Sequence, residues 1–204
     1  MTEGTGAGHR NPRASRMGMW LFLFTEMLLF GGLFLVYAVY RRGHAEAFHK
    51  ASAELSLAFG AGNTVLLLTS SLTMALGVAA FERGLVSRAL ALISGTIGMG
   101  ALFLVNKGIE WSVKFGHGLY PGSPVLEARD QGERLFFSLY FAMTGLHGLH
   151  VLVGGAVLGV VVVLVRRAGP APARHAALVE NAGLYWHLVD IVWIFLFPLF
   201  YLIT

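Results

Sequence analysis

Five long runs of apolar residues constrain what this chain can fold into. They cover residues 17–40, 55–81, 88–113, 134–165 and 180–203. Each run is long enough to cross about 30 Å of hydrocarbon as a helix that rises about 1.5 Å per residue. None of the runs alternates apolar and polar residues with a period of two, as the strands of a membrane β-barrel do. We therefore predict an all-α membrane protein, a bundle of five transmembrane helices.

The composition agrees with a bilayer environment. Charged residues make up 13% of the chain, about half of their share in a soluble domain, and the mean hydropathy is +0.67. Cysteine is absent, which excludes disulfides, thiolate metal sites and iron–sulfur clusters. The net charge of +4 comes from loops, so it indicates membrane topology rather than nucleic-acid binding.

Residues 1–16 are predicted to form a flexible polar tail, and residues 17–204 the transmembrane domain. The Lys and Arg residues near the helix ends predict the orientation, since they accumulate on the cytoplasmic side. The side that holds the N-terminus carries eight: Arg10, Arg13, Arg16, Arg83, Arg88, Arg166, Arg167 and Arg174. The opposite side carries six: Arg41, Arg42, Lys50, Lys114, Arg129 and Arg134. This count places the N-terminus in the cytoplasm and the C-terminus in the periplasm.

Many glycines lie inside the predicted helices. Small residues let membrane helices approach each other closely. We therefore predict tight helix packing at Gly31, Gly32, Gly60, Gly62, Gly95, Gly98, Gly100, Gly155 and Gly159.

Glu26 is the polar residue that the first apolar run leaves unexplained. It lies nine residues past Met17, about 14 Å into the bilayer. An ionised carboxylate at that depth is costly, so we expect Glu26 to be protonated or strongly hydrogen-bonded. Two roles remain open: a carboxylate active in proton uptake or lipid contact, and a structural hydrogen bond between helices.

Three histidines and an aspartate lie in the last two runs. His147 and His150 are three residues apart, as are His187 and Asp190, so each pair shares one helix face. Asp190 and Glu26 come out at similar depths. The spacing predicts a buried polar layer built from the first, fourth and fifth helices, because ionisable groups in such helices face the bundle interior.

Residue types alone leave two interpretations of this layer. His150 and His187 could ligate one haem iron from neighbouring helices, and Asp190 could orient a ligating imidazole. Alternatively, the imidazoles donate to carboxylates and carbonyls and hold the bundle together. Lys107 and Glu110 could form a pair near the outer surface, with the lysine extended toward water.

Several motifs resemble one known family. Residues 137–151 contain T-G-L-H-G-L-H-V, similar to the T-G-x-H-G-x-H-V signature of haem–copper oxidase subunit III. Residues 185–193, Y-W-H-L-V-D-I-V-W, resemble the Y-W-H-F-V-D-x-V-W motif of that family's last helix. The segments at 20–30, 63–67 and 107–111 match further family segments in the same order. The resemblance covers about residues 18–202.

The resemblance implies a non-catalytic subunit without haem or copper of its own. The redox centres lie in partner subunits, and the complex is a proton-pumping cytochrome c oxidase in a bacterial cytoplasmic membrane. The implied partners are oxidase subunits I and II, bound phospholipid, and in larger assemblies other respiratory complexes. Glu26 corresponds to the family's buried carboxylate. The other implied members of the polar layer are Asn63, Glu110, His147, His150, His187 and Asp190. Candidate contacts with lipid or partner subunits are Trp20, Phe22 and Arg42.

The chain departs from the longer family members, which have seven helices, because the first two are missing. Five-helix forms resemble those of bacterial oxidases, so a quinol oxidase subunit or a homologue associated with nitric oxide reductase is an alternative. An autonomous haem-binding membrane cytochrome is a second alternative. A small transporter is disfavoured, since the sequence shows neither an inverted repeat nor broken helices.

Overall fold

The computed structural model describes residues 12–168 and 175–202 of the chain. Within them the chain forms seven α-helices and no strand: α1 Pro12–Gly43, α2 Ala45–Ser52, α3 Leu57–Glu82, α4 Val86–Gly116, α5 Pro124–Glu127, α6 Gln131–Ala168 and α7 Ala176–Tyr201. Five of them (α1, α3, α4, α6 and α7) are long and apolar enough to cross a membrane. The predicted all-α bundle of five transmembrane helices is confirmed.

The helices extend past the apolar runs that predicted them. α1 begins at Pro12, whereas its apolar run begins at residue 17, so the helix reaches into the segment predicted as a tail; residues 1–11 lie outside the described part. Proline is common in a first helical turn, where its missing N–H would be unpaired anyway. Just after the C-terminal ends of α3 and α4, glycines with positive φ reverse the chain: Gly84 (75°) and Gly118 (68°). Hydropathy marks the hydrocarbon-spanning part of a helix, and local backbone signals mark its ends.

Four of the long helices form a closed arrangement in which α3 contacts α4, α4 contacts α6, α6 contacts α7, and α7 returns to α3. α1 lies outside this arrangement, against α6 and α7. In the most apolar stretch of each helix, 56% of the residues are buried in α7 but only 11% in α1. α7 is therefore central to the bundle, and α1 presents most of its side chains to the surroundings.

The short helices α2 and α5 cover one end of the bundle, where α1 and α4 end and α6 begins; we call it the α2 end. Phe48 of α2 is fully buried and packs edge-on against Tyr37 of α1 and Phe136 of α6. Residues 41–54, which the apolar runs left as a loop, thus contain a helix that docks through one aromatic side chain.

Close packing at glycine occurs at fewer positions than the sequence suggested. A Cβ at Gly60 would lie 2.7 Å from the Tyr201 ring, and one at Gly100 would lie 2.6 Å from Trp186. At the other predicted positions a Cβ would meet nothing within 4 Å: Gly31, Gly32, Gly62, Gly95, Gly98, Gly155 and Gly159. For these the prediction of tight packing within the chain is wrong, because the sequence does not say which face of a helix meets a neighbour.

Candidate functional site

Glu26 of α1 and His150 of α6 form a pair between two helices. His150 Nε2 lies 2.9 Å from Glu26 Oε2, and both side chains are 15% exposed. His150 Nδ1 lies 2.8 Å from the carbonyl oxygen of Leu146. A carbonyl only accepts, so Nδ1 carries a hydrogen and donates it. Phe30 packs edge-on against the imidazole.

This geometry places one proton between the carboxyl group and Nε2. With Nδ1 already protonated, either a neutral Glu26 donates to Nε2 or an imidazolium donates to a carboxylate. In both states Glu26 makes a strong hydrogen bond. The sequence predicted that Glu26 would be either protonated or strongly hydrogen-bonded, and the structure shows the hydrogen bond. Which atom holds the proton stays a prediction.

A cleft of about 230 Å³ lies next to this pair, between α1, α6 and α7. Its walls are almost entirely apolar; Met19, Phe22, Val157, Leu178 and Tyr185 contribute to them. Trp20 projects from the outer surface of α1 and is 62% exposed. Arg42 lines a separate cavity near the α2 end. The three predicted contact residues therefore belong to three different surfaces.

Lys107 and Glu110 of α4 form a buried ion pair. Lys107 Nζ donates to Glu110 Oε2 at 2.9 Å, and the two residues are 5% and 3% exposed. The prediction that Lys107 extends toward water is therefore wrong: the side chain points into the bundle, about 14 Å along α4 from its end at Gly116. The spacing gave the pair, but only the contacts with other helices show which way the lysine points.

Two tyrosines complete the hydrogen bonding of this ion pair. Lys107 Nζ also donates to the hydroxyls of Tyr140 on α6 (2.9 Å) and Tyr201 on α7 (2.6 Å). The Tyr201 hydroxyl donates to Glu110 Oε1 at 2.7 Å. All three ammonium hydrogens are thus used, and the ring of Trp193 lies 5.3 Å from the ammonium. The pair joins three helices while leaving neither charge unpaired.

A second ionic network lies at the α2 end. Glu133 of α6 accepts from Lys50 (2.7 Å) and from Arg129 (3.0 Å), and Arg129 also binds Glu54. The hydrogen bond to Glu133 raises the pKa of Lys50, and the hydrogen bond to Glu54 raises the pKa of Arg129. This network ties α2 and the start of α3 to the start of α6.

His147 and Asn63 are fully buried at separate positions. The His147 imidazole packs against Phe103 and Trp193, and neither of its nitrogens has a hydrogen-bond partner among the described residues. Asn63 Oδ1 accepts from Asn106 of α4 at 3.1 Å. Neither residue contacts the Glu26–His150 pair through a described hydrogen bond.

His187 and Asp190 of α7 face α3 rather than α1. His187 Nδ1 lies 2.7 Å from the Ser71 hydroxyl. Asp190 is 3% exposed, with Ser70 and Ser71 beside it. Sequence reasoning gave these serines no role at this site, because Ser and Thr are common contacts between membrane helices. The polar residues therefore do not form the single layer that the sequence suggested, but several groups at different helix boundaries.

The distribution of the imidazoles bears on the haem interpretation. His150 is engaged by α1 and His187 by α3, so the two candidate ligands do not face each other. Among residues 12–168 and 175–202, no group of three or more His, Asp or Glu side chains is arranged to hold a metal ion. The two imidazoles therefore contribute to contacts at different helix boundaries.

Comparison with known proteins supplies the decisive observation. A family model for cytochrome c oxidase subunit III matches residues 1–204. The chain belongs to this family. Cytochrome c oxidase subunit 3 of Thermostichus vulcanus is 33% identical over 196 residues, which is 96% of this chain and 90% of that protein.

Two further subunit III relatives match over similar lengths. The protein of Corynebacterium diphtheriae is 36% identical over 203 residues, covering 97% of this chain and 92% of its own length. The protein of Synechocystis sp. is 33% identical over 203 residues, covering 99% and 82%. The motifs that suggested haem–copper oxidase subunit III therefore belong to a similarity that extends over nearly the whole chain.

Proposed function

We propose that this chain is the non-catalytic subunit III of a cytochrome c oxidase in a bacterial cytoplasmic membrane. It stabilises the catalytic subunit and supports proton uptake during aerobic respiration. The haem and copper centres belong to partner subunits I and II. The full-length similarity to proteins named cytochrome c oxidase subunit 3 carries the proposal.

The Glu26–His150 pair supports the part of the proposal that concerns protons. It shares one proton between two side chains, and both are partly exposed at the edge of the bundle. A group that exchanges protons must be reachable from outside the protein core. Among the polar groups described above, the Lys107–Glu110 pair is too deeply enclosed for that role.

The cleft beside Phe22 supports phospholipid binding. Its apolar walls suit an acyl chain. Arg16 lies one helical turn from Met19 of the cleft wall and forms an exposed ion pair with Glu180 at 2.7 Å. A lipid phosphate could take the place of Glu180 on this guanidinium.

The test of the proposal is purification through an affinity tag on this chain. We expect subunits I and II to copurify, with haem absorption in proportion to subunit I and oxidation of cytochrome c. Oxidation of quinol but not of cytochrome c would favour the quinol oxidase alternative. Recovery of the chain alone with one haem per polypeptide would favour the autonomous cytochrome.

Glu26→Gln tests the role of the pair within the complex. We expect the variant complex to assemble, to take up protons more slowly, and to lose activity sooner during turnover. The matched control is Glu82→Gln, which removes an exposed carboxylate at the end of α3. Equal proton uptake and equal turnover lifetime in wild type and Glu26→Gln would contradict the proposed role.

A further inference from the structure

Asp190 is a buried carboxyl group without a cationic partner among the described residues. It is 3% exposed, and in the described part of the chain neither of its oxygens lies in hydrogen-bond geometry with a donor. A buried carboxylate needs hydrogen-bond donors, because transfer of an unpaired charge into an apolar interior costs several kcal/mol. Whether Asp190 can be ionised therefore depends on the hydrogen-bond donors and cations beside it.

The two serines beside Asp190 have their hydrogens engaged elsewhere. The Ser70 hydroxyl donates to the Leu67 carbonyl at 2.8 Å, and its oxygen accepts from Trp186 Nε1 at 3.0 Å. The Ser71 hydroxyl lies 2.7 Å from His187 Nδ1. If Ser71 donates to that nitrogen, neither serine has a hydrogen left for a carboxylate.

The other helices bring no free charge to this position. The buried or half-buried acids, lysines and histidines of α1, α4 and α6 are Glu26, Lys107, Glu110, Lys114, Glu133, His147 and His150. Lys114 donates to the Glu54 carbonyl and Glu133 accepts from Lys50, both at the α2 end. Glu26 is paired with His150, and Lys107 with Glu110. His147 packs against Phe103 and Trp193. On α7 itself, the titratable side chain near Asp190 is that of His187, and it contacts the Ser71 hydroxyl.

We propose that Asp190, Ser71 and His187 form a second proton-binding site, separate from Glu26–His150, in which Asp190 is a neutral carboxylic acid. The acid brings its own hydrogen, and rotation of the carboxyl group toward Ser71 lets it donate that hydrogen to the Ser71 oxygen. Ser71 donates to His187 Nδ1, and the neutral imidazole carries its hydrogen on Nε2. No charge then lies in the apolar interior, and the hydroxyl hydrogens of Ser70 and Ser71 both have acceptors. His187 is only half-buried, so it connects the buried acid to the surface of the bundle.

The chain offers a direct test, because Asp130 and Asp190 are its only aspartates. The full chain is synthesised with a ¹³C-labelled aspartate carboxyl group, placed in phosphatidylcholine vesicles, and its carboxyl NMR signals are recorded at pH 7. We expect one carboxylate signal from Asp130, which is exposed at the α2 end, and one protonated carboxyl signal from Asp190. Asp130→Asn assigns the two signals without altering the buried site. Two carboxylate signals at pH 7 would overturn the proposal.

Imidazole ¹⁵N signals test the link through Ser71, with His187→Gln for assignment. We expect His187 Nδ1 to be an acceptor that changes in Ser71→Ala. It should not change in Thr69→Ala, whose hydroxyl bonds to its own helix. A hydrogen on His187 Nδ1 would free Ser71 to donate to a carboxylate and would overturn the proposal. An Asp190 signal that becomes protonated only when sodium is replaced by choline would identify a sodium site instead and would also overturn it.

Discussion

At the scale of single residues, the surroundings of each ion pair determine what it contributes. Lys107 and Glu110 are buried and hydrogen-bonded to each other and to tyrosines. Arg16 contacts Glu180 with the two side chains 58% and 33% exposed. A surface pair is screened by water and contributes little, whereas loss of one member of a buried pair leaves an uncompensated charge.

Lys107→Met is therefore expected to destabilise the chain strongly. It leaves the Glu110 carboxylate buried without its cation, at a cost of about 3–5 kcal/mol. Thermal unfolding of the purified chain in detergent measures the loss. Arg16→Met, the control, removes one member of an exposed ion pair and should change the unfolding temperature little.

The double variant Lys107→Met with Glu110→Leu separates charge from packing. Because it removes both charges, most of the lost stability should return. A double variant as unstable as Lys107→Met alone would mean that shape, and not the unpaired carboxylate, causes the loss.

At the scale of helices, α4 and α7 meet where the large Trp186 ring of α7 reaches a glycine of α4. Gly100 lies against Trp186, which is fully buried and held by its hydrogen bond to Ser70. Gly98 is on the same helix and faces open space. The contrast shows that one helix carries both packing and surface glycines.

Gly100→Ala should destabilise the bundle by about 1–3 kcal/mol, the usual cost of overpacking. The added Cβ would lie 2.6 Å from the Trp186 ring, which is enclosed on all sides. Gly98→Ala is the matched control and should cause no loss. Thermal unfolding of both variants makes the comparison, and equal stability would contradict the tight contact between Gly100 and the Trp186 ring.

The docking of α2 depends on Phe48, which fills a pocket between Tyr37 and Phe136. Phe48→Ala should cost about 3–5 kcal/mol through the cavity that it leaves. We also expect faster proteolysis within residues 41–54, because α2 would detach from the bundle. Phe24→Ala is the control, since Phe24 is 58% exposed on α1. Limited proteolysis of both variants measures the effect.

At the scale of the whole molecule, α1 is the least enclosed of the five long helices. Trp20, Phe24, Met27 and Leu28 project from it with more than half of their surface exposed. Such an apolar face needs lipid or a partner subunit to cover it. The exposed glycines Gly31 and Gly32 lie on this helix as well.

The orientation of the chain can be measured directly because it has no cysteine. A membrane-impermeant thiol reagent added to intact spheroplasts should label Glu127→Cys, at the α2 end. It should label Arg83→Cys, in the turn between α3 and α4, only after permeabilisation. Both positions are exposed. The opposite pattern would reverse the topology predicted from the Lys and Arg count.

Much of the architecture was predictable from sequence, and the reason is hydropathy. A helix must cross about 30 Å of hydrocarbon with its backbone hydrogen-bonded internally, so five apolar runs predict five helices. The i to i+3 spacing likewise predicted the Lys107–Glu110 pair. α2 was missed, because its eight residues are too few and too polar to give an apolar run.

The sequence by itself determined the number of long helices, some of the buried polar residues, such as His147 and Asp190, and the resemblance to the family. Only the tertiary structure decided the partners: Glu26 with His150, His187 with Ser71, and Lys107 with two tyrosines. Spacing fixes which side chains share a helix face, but the rotation of that helix against its neighbours decides what the face meets. That rotation depends on packing around the whole bundle, such as Trp186 against Gly100, and no local pattern of residues encodes it.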